Sequence, residues 1–371
     1  MLHKVLALID LHNPNNLGLL TENRLEAVTT FLGRYTFIDF MLSNCTNSEI
    51  DNIAILCKEK SRSVAKHISR DSIYLKNSKT GFLKILNSET NISNPLFNSD
   101  VNNVRENDYI LYDNDSEYVI VAPVHFILNI DFNDIIEKHI ESNCLCSVVY
   151  KVSDDSEMFS NCEKLTIDAL GNVQKFEQIT NSDKTKFNVN LGIYIFNREF
   201  FNKLIKESSK ISEIYSIDDL VKYNAKYKIN VNTIEFKKDV YCFNSFEKYF
   251  KYSMDILDNP TGFLNYDDAL IYTTTHNSRP VLYGSSSYVR SSLIANGCTI
   301  NGTVKHSILA RDVVIEDGAS VENCILFSHT VVKSGVHLKN VVCNKRVVFN
   351  NPQKLEGSLE APLYIKEGSI I

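Results

Sequence analysis

The sequence predicts a doubly wound α/β domain followed by a parallel β-helix, and three observations support this fold class. Strand-like and helix-like patterns alternate up to about residue 255. After residue 285, aliphatic residues recur at intervals of six, which is typical of a parallel β-helix. A stretch rich in Pro, Gly, Tyr and Thr separates the two patterns. We therefore predict an α/β domain at 1–255, a connector at 256–285 and a β-helix domain at 286–371.

Short apolar runs predict the strands of the first domain. The run at 5–9 is continuously apolar, as in a strand buried on both faces of a parallel sheet. Similar runs at 52–57 and 118–122 predict two more strands, and Asp131 is placed to cap a helix that ends near Ser142. Residues 76–107 are rich in Asn, Ser and Lys with weak periodicity, so we predict a surface insertion there.

The six-residue repeat predicts which side chains point into the β-helix, because each hexad forms one side of a triangular coil. An antiparallel β-sandwich is the alternative, and the poor alternation of apolar and polar residues disfavours it. The predicted inward positions are Ile294, Ile300, Leu309, Ile315, Val321, Val336, Val342 and Val348.

Composition argues against several classes of partner. The net charge of −6 gives no support to nucleic-acid binding, which usually needs a basic surface. The apolar run at 5–9 is too short for a signal peptide or a membrane span. The nine cysteines are odd in number and lie mostly in apolar runs, and Cys144 and Cys146 have no second pair at zinc-ligand spacing. We therefore expect reduced thiols, a cytoplasmic location and no bound metal.

Three segments resemble the ADP-glucose pyrophosphorylase (glucose-1-phosphate adenylyltransferase) family of glycogen biosynthesis. They are Leu20–Arg24 with Phe31–Asn44, Asn190–Asn197, and Val289–Leu309. The resemblance implies a Rossmann-like nucleotidyltransferase domain followed by a left-handed β-helix of hexapeptide repeats. It also implies the family reaction, in which ATP and glucose 1-phosphate give ADP-glucose and pyrophosphate with the help of Mg²⁺.

Five positions that carry this chemistry in the family hold unsuitable residues here. The loop after the first strand has one glycine, and its Pro14 has no N–H to offer a phosphate. Asp10 adds a carboxylate to that loop, and Glu26 stands where the family has a phosphate-side lysine. Val124 and Cys242 occupy the two metal-carboxylate positions, and Gln178 replaces the sugar-phosphate lysine.

This pattern of departures resembles that of the D-type subunit of the bacterial enzyme, which assembles with a catalytic subunit. They imply a catalytically deficient, regulatory subunit of a hetero-oligomer, expected to be a tetramer, without Mg²⁺ or ATP of its own. A weakly active enzyme and a stand-alone sugar-phosphate or nucleotide sensor are the alternatives. A hexapeptide acyltransferase is a remote further one, because His306 or His329 alone is weak evidence for it.

Five residues are candidate ligand or effector contacts: Arg24, Arg34, Asn190, Gly192 and Tyr194. For the two arginines, the alternative is an ion pair with Asp39 or Glu22. For Gly192, the alternative is a bulge in the sheet. A scattered basic set on the predicted β-helix is either part of an effector pocket or a solvated face; its members are Lys305, His306, Arg311, Lys333, Lys345 and Arg346.

Overall fold

The computed structural model describes residues 4–12, 15, 17–68, 73–77, 79–88, 99–180, 185–208, 210, 216–227, 229–260, 270–275 and 277–371. The chain forms two compact units. Unit 1 comprises Met1–Pro14, Phe40–Cys242 and Ala269–Tyr272, and unit 2 comprises Asn15–Asp39, Phe243–Asp268 and Thr273–Ile371. The predicted domains are continuous ranges of the chain, whereas each compact unit combines several segments. The predicted boundaries therefore stay predictions.

Unit 1 is built on a mixed nine-stranded sheet. Its strands are β1 (Val5–Asp10), β4 (Asn52–Cys57), β5 (Phe82–Asn87), β6 (Tyr118–Ala122), β8 (Cys146–Ser153), β9 (Glu163–Ile167), β10 (Val173–Gln178), β11 (Phe187–Asn197) and β12 (Val231–Glu235). The order is β10-β9-β11-β6-β1-β4-β5, with β8 between β11 and β12. Strands β6, β1, β4 and β5 run parallel, while β11 is antiparallel to β6. The predicted strands at 5–9, 52–57 and 118–122 are therefore confirmed.

Helices and a small second sheet complete unit 1. A two-stranded sheet pairs β7 (Phe126–Leu128) with β13 (Val240–Cys242). The helices are α1 (Phe37–Asn47, whose first turn belongs to unit 2), α2 (Ser61–Ile68), α3 (Asp100–Glu106), α4 (Tyr109–Tyr112), α5 (Phe132–Ser142), α6 (Arg198–Ser208) and α7 (Ile217–Tyr227). Asp131 caps α5 by accepting the Asn133 N–H, as predicted. None of the described helices is long and apolar enough to cross a bilayer.

Part of the predicted surface insertion belongs to the sheet. β5 pairs in parallel with β4, and α3 follows it. The Asn103 amide is fully buried and donates to the carbonyls of Cys57 and Leu86, which attaches α3 to both strands. The sequence did not predict β5, because this strand lies at the edge of the sheet and few of its side chains are buried. Its pattern of apolar residues is therefore weak. Residues 78 and 89–98 of the predicted insertion lie outside the described residues.

Unit 2 contains the β-helix, as three parallel sheets of five short strands. The first sheet is β14 (Leu282–Tyr283), β17 (Thr299–Ile300), β20 (Val314–Ile315), β23 (Val331–Val332) and β26 (Val348–Phe349). The second is β15 (Tyr288–Arg290), β18 (Thr303–Lys305), β21 (Ser320–Glu322), β24 (His337–Lys339) and β27 (Lys354–Glu356). The third is β16 (Leu293–Ile294), β19 (Ile308–Leu309), β22 (Ile325–Leu326), β25 (Val341–Cys343) and β28 (Leu363–Ile365). This architecture is the predicted left-handed β-helix, and it excludes the sandwich.

Two of the predicted inward positions are wrong. The core between the three sheets contains Cys343 and Phe349 in place of Val342 and Val348. The ladder partners Val314, Val331 and Val348 lie seventeen positions apart, whereas a strict hexad repeat would require eighteen. The inward register therefore drifts along the chain, and Val348 faces outward.

A helix and an N-terminal segment pack on the third sheet within unit 2. This segment includes the short hairpin β2 (Thr30–Phe31) and β3 (Tyr35–Thr36), and the helix is α8 (Phe246–Asp258). The Tyr249 hydroxyl donates to the Thr30 carbonyl at 2.6 Å. Gly33 lies so close to the third sheet that a Cβ there would approach the Leu309 carbonyl oxygen to 2.9 Å. The outward side chains Ile308 and Ile325 are consequently buried.

Candidate functional site

Asp10 ends β1 in unit 1, where the resemblance places the start of the phosphate loop. Its Oδ1 accepts the His12 N–H at 3.0 Å and lies 3.1 Å from His12 Nδ1. Burial and, next, the charge of Asp10 raise the pKa of Asp100, which is fully buried nearby. The described start of the loop is thus acidic, and its donors already bond within the protein. Pro14 lies outside the described residues.

The two positions where the resemblance places metal carboxylates do not provide side-chain oxygen ligands. Val124 is an aliphatic side chain that is buried. Cys242 is fully buried, and its Sγ lies 3.5 Å from Cys162 Sγ. Mg²⁺ is a hard cation that prefers carboxylate and water oxygens, so these two side chains do not fit it. Across the described part of the chain, no three His, Cys, Asp or Glu residues are grouped so as to hold a metal ion.

The sugar-side candidates lie on β10 and β11 of unit 1. Gln178 is exposed at the end of β10, and its amide donates to Glu163 Oε1 at 3.3 Å. The pairing of β11 with β8 shifts register between Asn190 and Ile193, which confirms the bulge. Gly192 has φ +63° there, and a Cβ would lie 3.3 Å from the Pro123 ring. The backbone itself therefore favours a glycine here.

Asn190 and Tyr194 belong to a polar network that the sequence prediction missed. Asn190 accepts the Gly192 N–H and donates to the Tyr194 hydroxyl at 3.0 Å. That hydroxyl donates to Asp218, and Lys222 Nζ lies 2.5 Å from carboxylate oxygens of both Asp218 and Glu163. The spacing of four between Asp218 and Lys222 was a usable signal, since such residues share a helix face. The network presents no unpaired cation to a sugar phosphate.

Glu26 lies in unit 2, in a short 3₁₀ turn, and is fully buried. Its Oε2 accepts the Asn15 N–H at 2.8 Å, and its Oε1 has no hydrogen-bond partner among the described residues. Burial raises the pKa of this carboxyl from 4.5 to about 8, although the Asn15 hydrogen bonds act in the opposite direction. The position where the resemblance implies a phosphate-side lysine therefore holds a buried carboxyl that is mainly uncharged at neutral pH.

A pocket of about 240 Å³ opens beside Arg24 within unit 2, and we call it the Arg24 pocket. Its lining comprises Leu19, Leu20, Glu22, Asn23, Arg24, Asn344, Tyr364, Lys366 and Glu367. Arg24 Nη2 donates at 2.8 Å to both Asn344 Oδ1 and Glu367 Oε2. Its Nη1 is buried without a hydrogen-bond partner among the described residues. The pocket is thus lined by a guanidinium whose Nη2 bonds to Asn344 and Glu367 and whose Nη1 is buried.

The arginines do not form the ion pairs that were the alternative prediction. Arg24 pairs with Glu367, while Glu22 pairs with Lys366 and Asp39 accepts the Thr36 N–H at the start of α1. Arg34 is exposed, and its guanidinium lies over the Tyr35 ring at 5.3 Å. Sequence reasoning did not foresee Asn344 and Glu367, because no local pattern joins them to Arg24. None of the scattered basic set lines the Arg24 pocket.

The comparisons with known proteins agree with the two-part architecture. The nucleotidyl transferase family matches residues 17–252. The chain belongs to the nucleotidyl transferase family. In this nucleotidyl transferase, residues 281–356 match the GlmU-like C-terminal hexapeptide family. These residues lie in unit 2.

Several relatives are glucose-1-phosphate adenylyltransferases. The chain is 23% identical to that of Acetivibrio thermocellus, with 90% of this chain and 79% of the relative covered. It is 22% identical to that of Desulfitobacterium hafniense, with coverage of 96% and 93%. It is 25% identical to that of Fervidobacterium nodosum, with coverage of 90% and 80%. These similarities support the resemblance to that family within the nucleotidyl transferases.

Proposed function

We propose that this chain is a regulatory, catalytically deficient subunit of glucose-1-phosphate adenylyltransferase, of the D-type, which assembles with a catalytic subunit in glycogen biosynthesis. Glu26 carries the proposal. A phosphate-side lysine acts by placing positive charge near phosphate oxygens. Glu26 is mainly uncharged at neutral pH and becomes negative as the pH rises through about 8, so at no pH does it supply that positive charge.

The remaining family positions support the same proposal. Asp10 adds negative charge where the triphosphate would bind, and Val124 and Cys242 lack the oxygen ligands that Mg²⁺ requires. Gln178 is neutral and faces Glu163. Electrostatic stabilisation of the transferring group is the main source of catalysis in this chemistry. We therefore propose that the chain binds neither Mg²⁺ nor ATP productively.

The Arg24 pocket supports the regulatory part. A buried guanidinium with a free donor group fits phosphate or carboxylate, because Arg presents paired N–H groups to such anions. Lys366 also lines the pocket, where it pairs with Glu22 as Arg24 pairs with Glu367, so an anion would exchange with these carboxylates. We propose a small phosphorylated sugar or carboxylate as the effector. The nine free cysteines fit the proposed cytoplasmic location.

The first prediction concerns turnover. The isolated chain should release pyrophosphate from ATP and glucose 1-phosphate at a rate at least about 10³-fold below that of a catalytic relative, because the metal and phosphate contacts are missing. A coupled pyrophosphate assay measures this.

Co-expression with the catalytic subunit should give a mixed complex on affinity purification. Turnover by the lone chain at a relative's rate would favour the alternative of an active enzyme and would end the proposal.

The second prediction concerns the Arg24 pocket. Arg24→Gln should weaken binding of glucose 1-phosphate by about tenfold or more, because a charged hydrogen-bond donor is lost. Isothermal titration at neutral pH measures the effect. Arg34→Gln is the matched control and should bind as the natural chain does, since Arg34 lies over Tyr35 outside the pocket lining. Equal weakening in both variants would contradict the assignment of the pocket.

A further inference from the structure

The outward faces of the three β-helix sheets differ in composition and in burial. The outward residues of the three middle strands of the third sheet, Ile308, Ile325 and Val342, are aliphatic and buried within unit 2. The second sheet carries outward rows of polar and charged residues, including an ion pair of Lys339 with Glu322 at 3.3 Å. The outward residues of the first sheet are also aliphatic apart from Thr299, yet all of them remain at least partly accessible.

This accessible row on the first sheet, which we call the valine face, extends over six successive rungs. Bridge pairing continues the row from Val348 to Ile370 at the chain's last residues. Its end members, Leu282 and Ile370, are 47% and 76% exposed. Single exposed apolar residues are ordinary on a protein surface, whereas a continuous row of them indicates an interaction site. From the first rung to the sixth, its members are Leu282, Thr299, Val314, Val331, Val348 and Ile370.

Charged residues flank the valine face on both sides. The third rung has Asp312 before Val314 and Glu316 after it, and the fourth rung has His329 and Lys333 in the same places. All four side chains are at least partly accessible. Each side of the row therefore carries an acidic group on one rung and a basic or titratable group on the next.

We propose that the valine face binds a second copy of this chain, with the two β-helices antiparallel across a two-fold axis. The axis runs parallel to the strands and passes between the third and fourth rungs. A two-fold interface brings the same surface of both copies together, so every contact occurs twice.

This symmetry makes the face complementary to itself. The third rung lies opposite the fourth, so Glu316 faces Lys333 of the partner subunit, and Val314 faces Val331 of the partner subunit. The first rung lies opposite the sixth, so the exposed Leu282 faces the exposed Ile370 of the partner subunit. An axis along the coil would instead place Asp312 opposite Glu316 of the partner subunit, which is a repulsive contact. Charge complementarity thus selects the antiparallel arrangement.

Sedimentation velocity of the full chain tests the proposal. At micromolar concentration, the sedimenting mass of the natural chain should be twice the 42.2 kDa of one chain. Glu316→Lys alone, or Lys333→Glu alone, should raise the dimer dissociation constant by about tenfold or more, since each reversal creates two like-charge contacts. The double reversal Glu316→Lys with Lys333→Glu should restore the natural constant, because the pairs are re-formed with opposite polarity.

A control and the contrary outcomes complete the design. Glu322→Lys reverses a charge on the second sheet and should leave the dissociation constant unchanged. A natural chain that stays at 42.2 kDa throughout, or a double variant as weak as the single variants, would overturn the proposal. The proposal does not depend on the proposed function. A monomer that still assembles with the catalytic subunit would overturn only the valine-face dimer, whereas turnover by a lone dimer would overturn only the proposed function.

Discussion

Replacing Glu26 by Gln is expected to make the protein about 5 kcal/mol more stable than the natural chain above about pH 9. The pKa of Glu26 is about 8 in the folded protein and 4.5 in its ordinary state, and each unit corresponds to about 1.4 kcal/mol. Because the folded pKa is raised, the stability that this carboxyl contributes is fully present below pH 4.5. It is lost as the pH rises through about 8, where folding must bury a carboxylate.

Urea unfolding at a series of pH values measures this difference. The two chains should have similar free energies of unfolding near pH 4 and should diverge steadily above it, since Gln keeps the acceptor for Asn15 without the charge. Glu22→Gln is the matched control, because this exposed carboxyl lies in the same unit and should follow the natural chain. Parallel curves for the natural chain and Glu26→Gln would show that the folded protein does not disfavour the charged carboxyl.

Replacing Phe243 by Ala is expected to cost about 3–5 kcal/mol, the usual range for removing a large buried ring. Phe243 is fully buried in unit 2, with its ring centre 5.0 Å from those of both Phe31 and Phe37. Its backbone carbonyl also accepts the Asn15 amide, so the surrounding segment would loosen around the cavity. This aromatic cluster joins the N-terminal segment to the residues that precede α8.

Chemical unfolding followed by tyrosine fluorescence and circular dichroism measures this cost. Phe243→Leu is the control and should lose less than half as much, because a branched aliphatic side chain refills most of the volume. If Phe243→Ala unfolds at the same denaturant concentration as Phe243→Leu, the cluster does not contribute in the way its burial indicates.

The sequence determined the local structure and the chemistry of single positions. Continuous apolar runs were enough for β1, β4 and β6, since a strand buried on both faces has no polar side. Asp131 identified the start of α5 because a capping carboxylate acts on backbone N–H groups two or three residues away. The identities of Glu26, Val124, Gln178 and Cys242 were also sufficient for the prediction that cations and oxygen ligands are missing at the family positions, because residue type decides which atoms a side chain can offer.

Only the tertiary structure decided which residues meet and which face stays open. Arg24 contacts Asn344 and Glu367 through the packing of unit 2, and no pattern along the chain encodes a contact over that separation. The charge state of Glu26 follows from complete burial, which depends on residues far away in sequence. Val348 faces outward because the coil that precedes it has seventeen residues and not eighteen. Sequence alone could not show this, because the strands are too short for the alternation of apolar and polar residues to reveal which side faces the core.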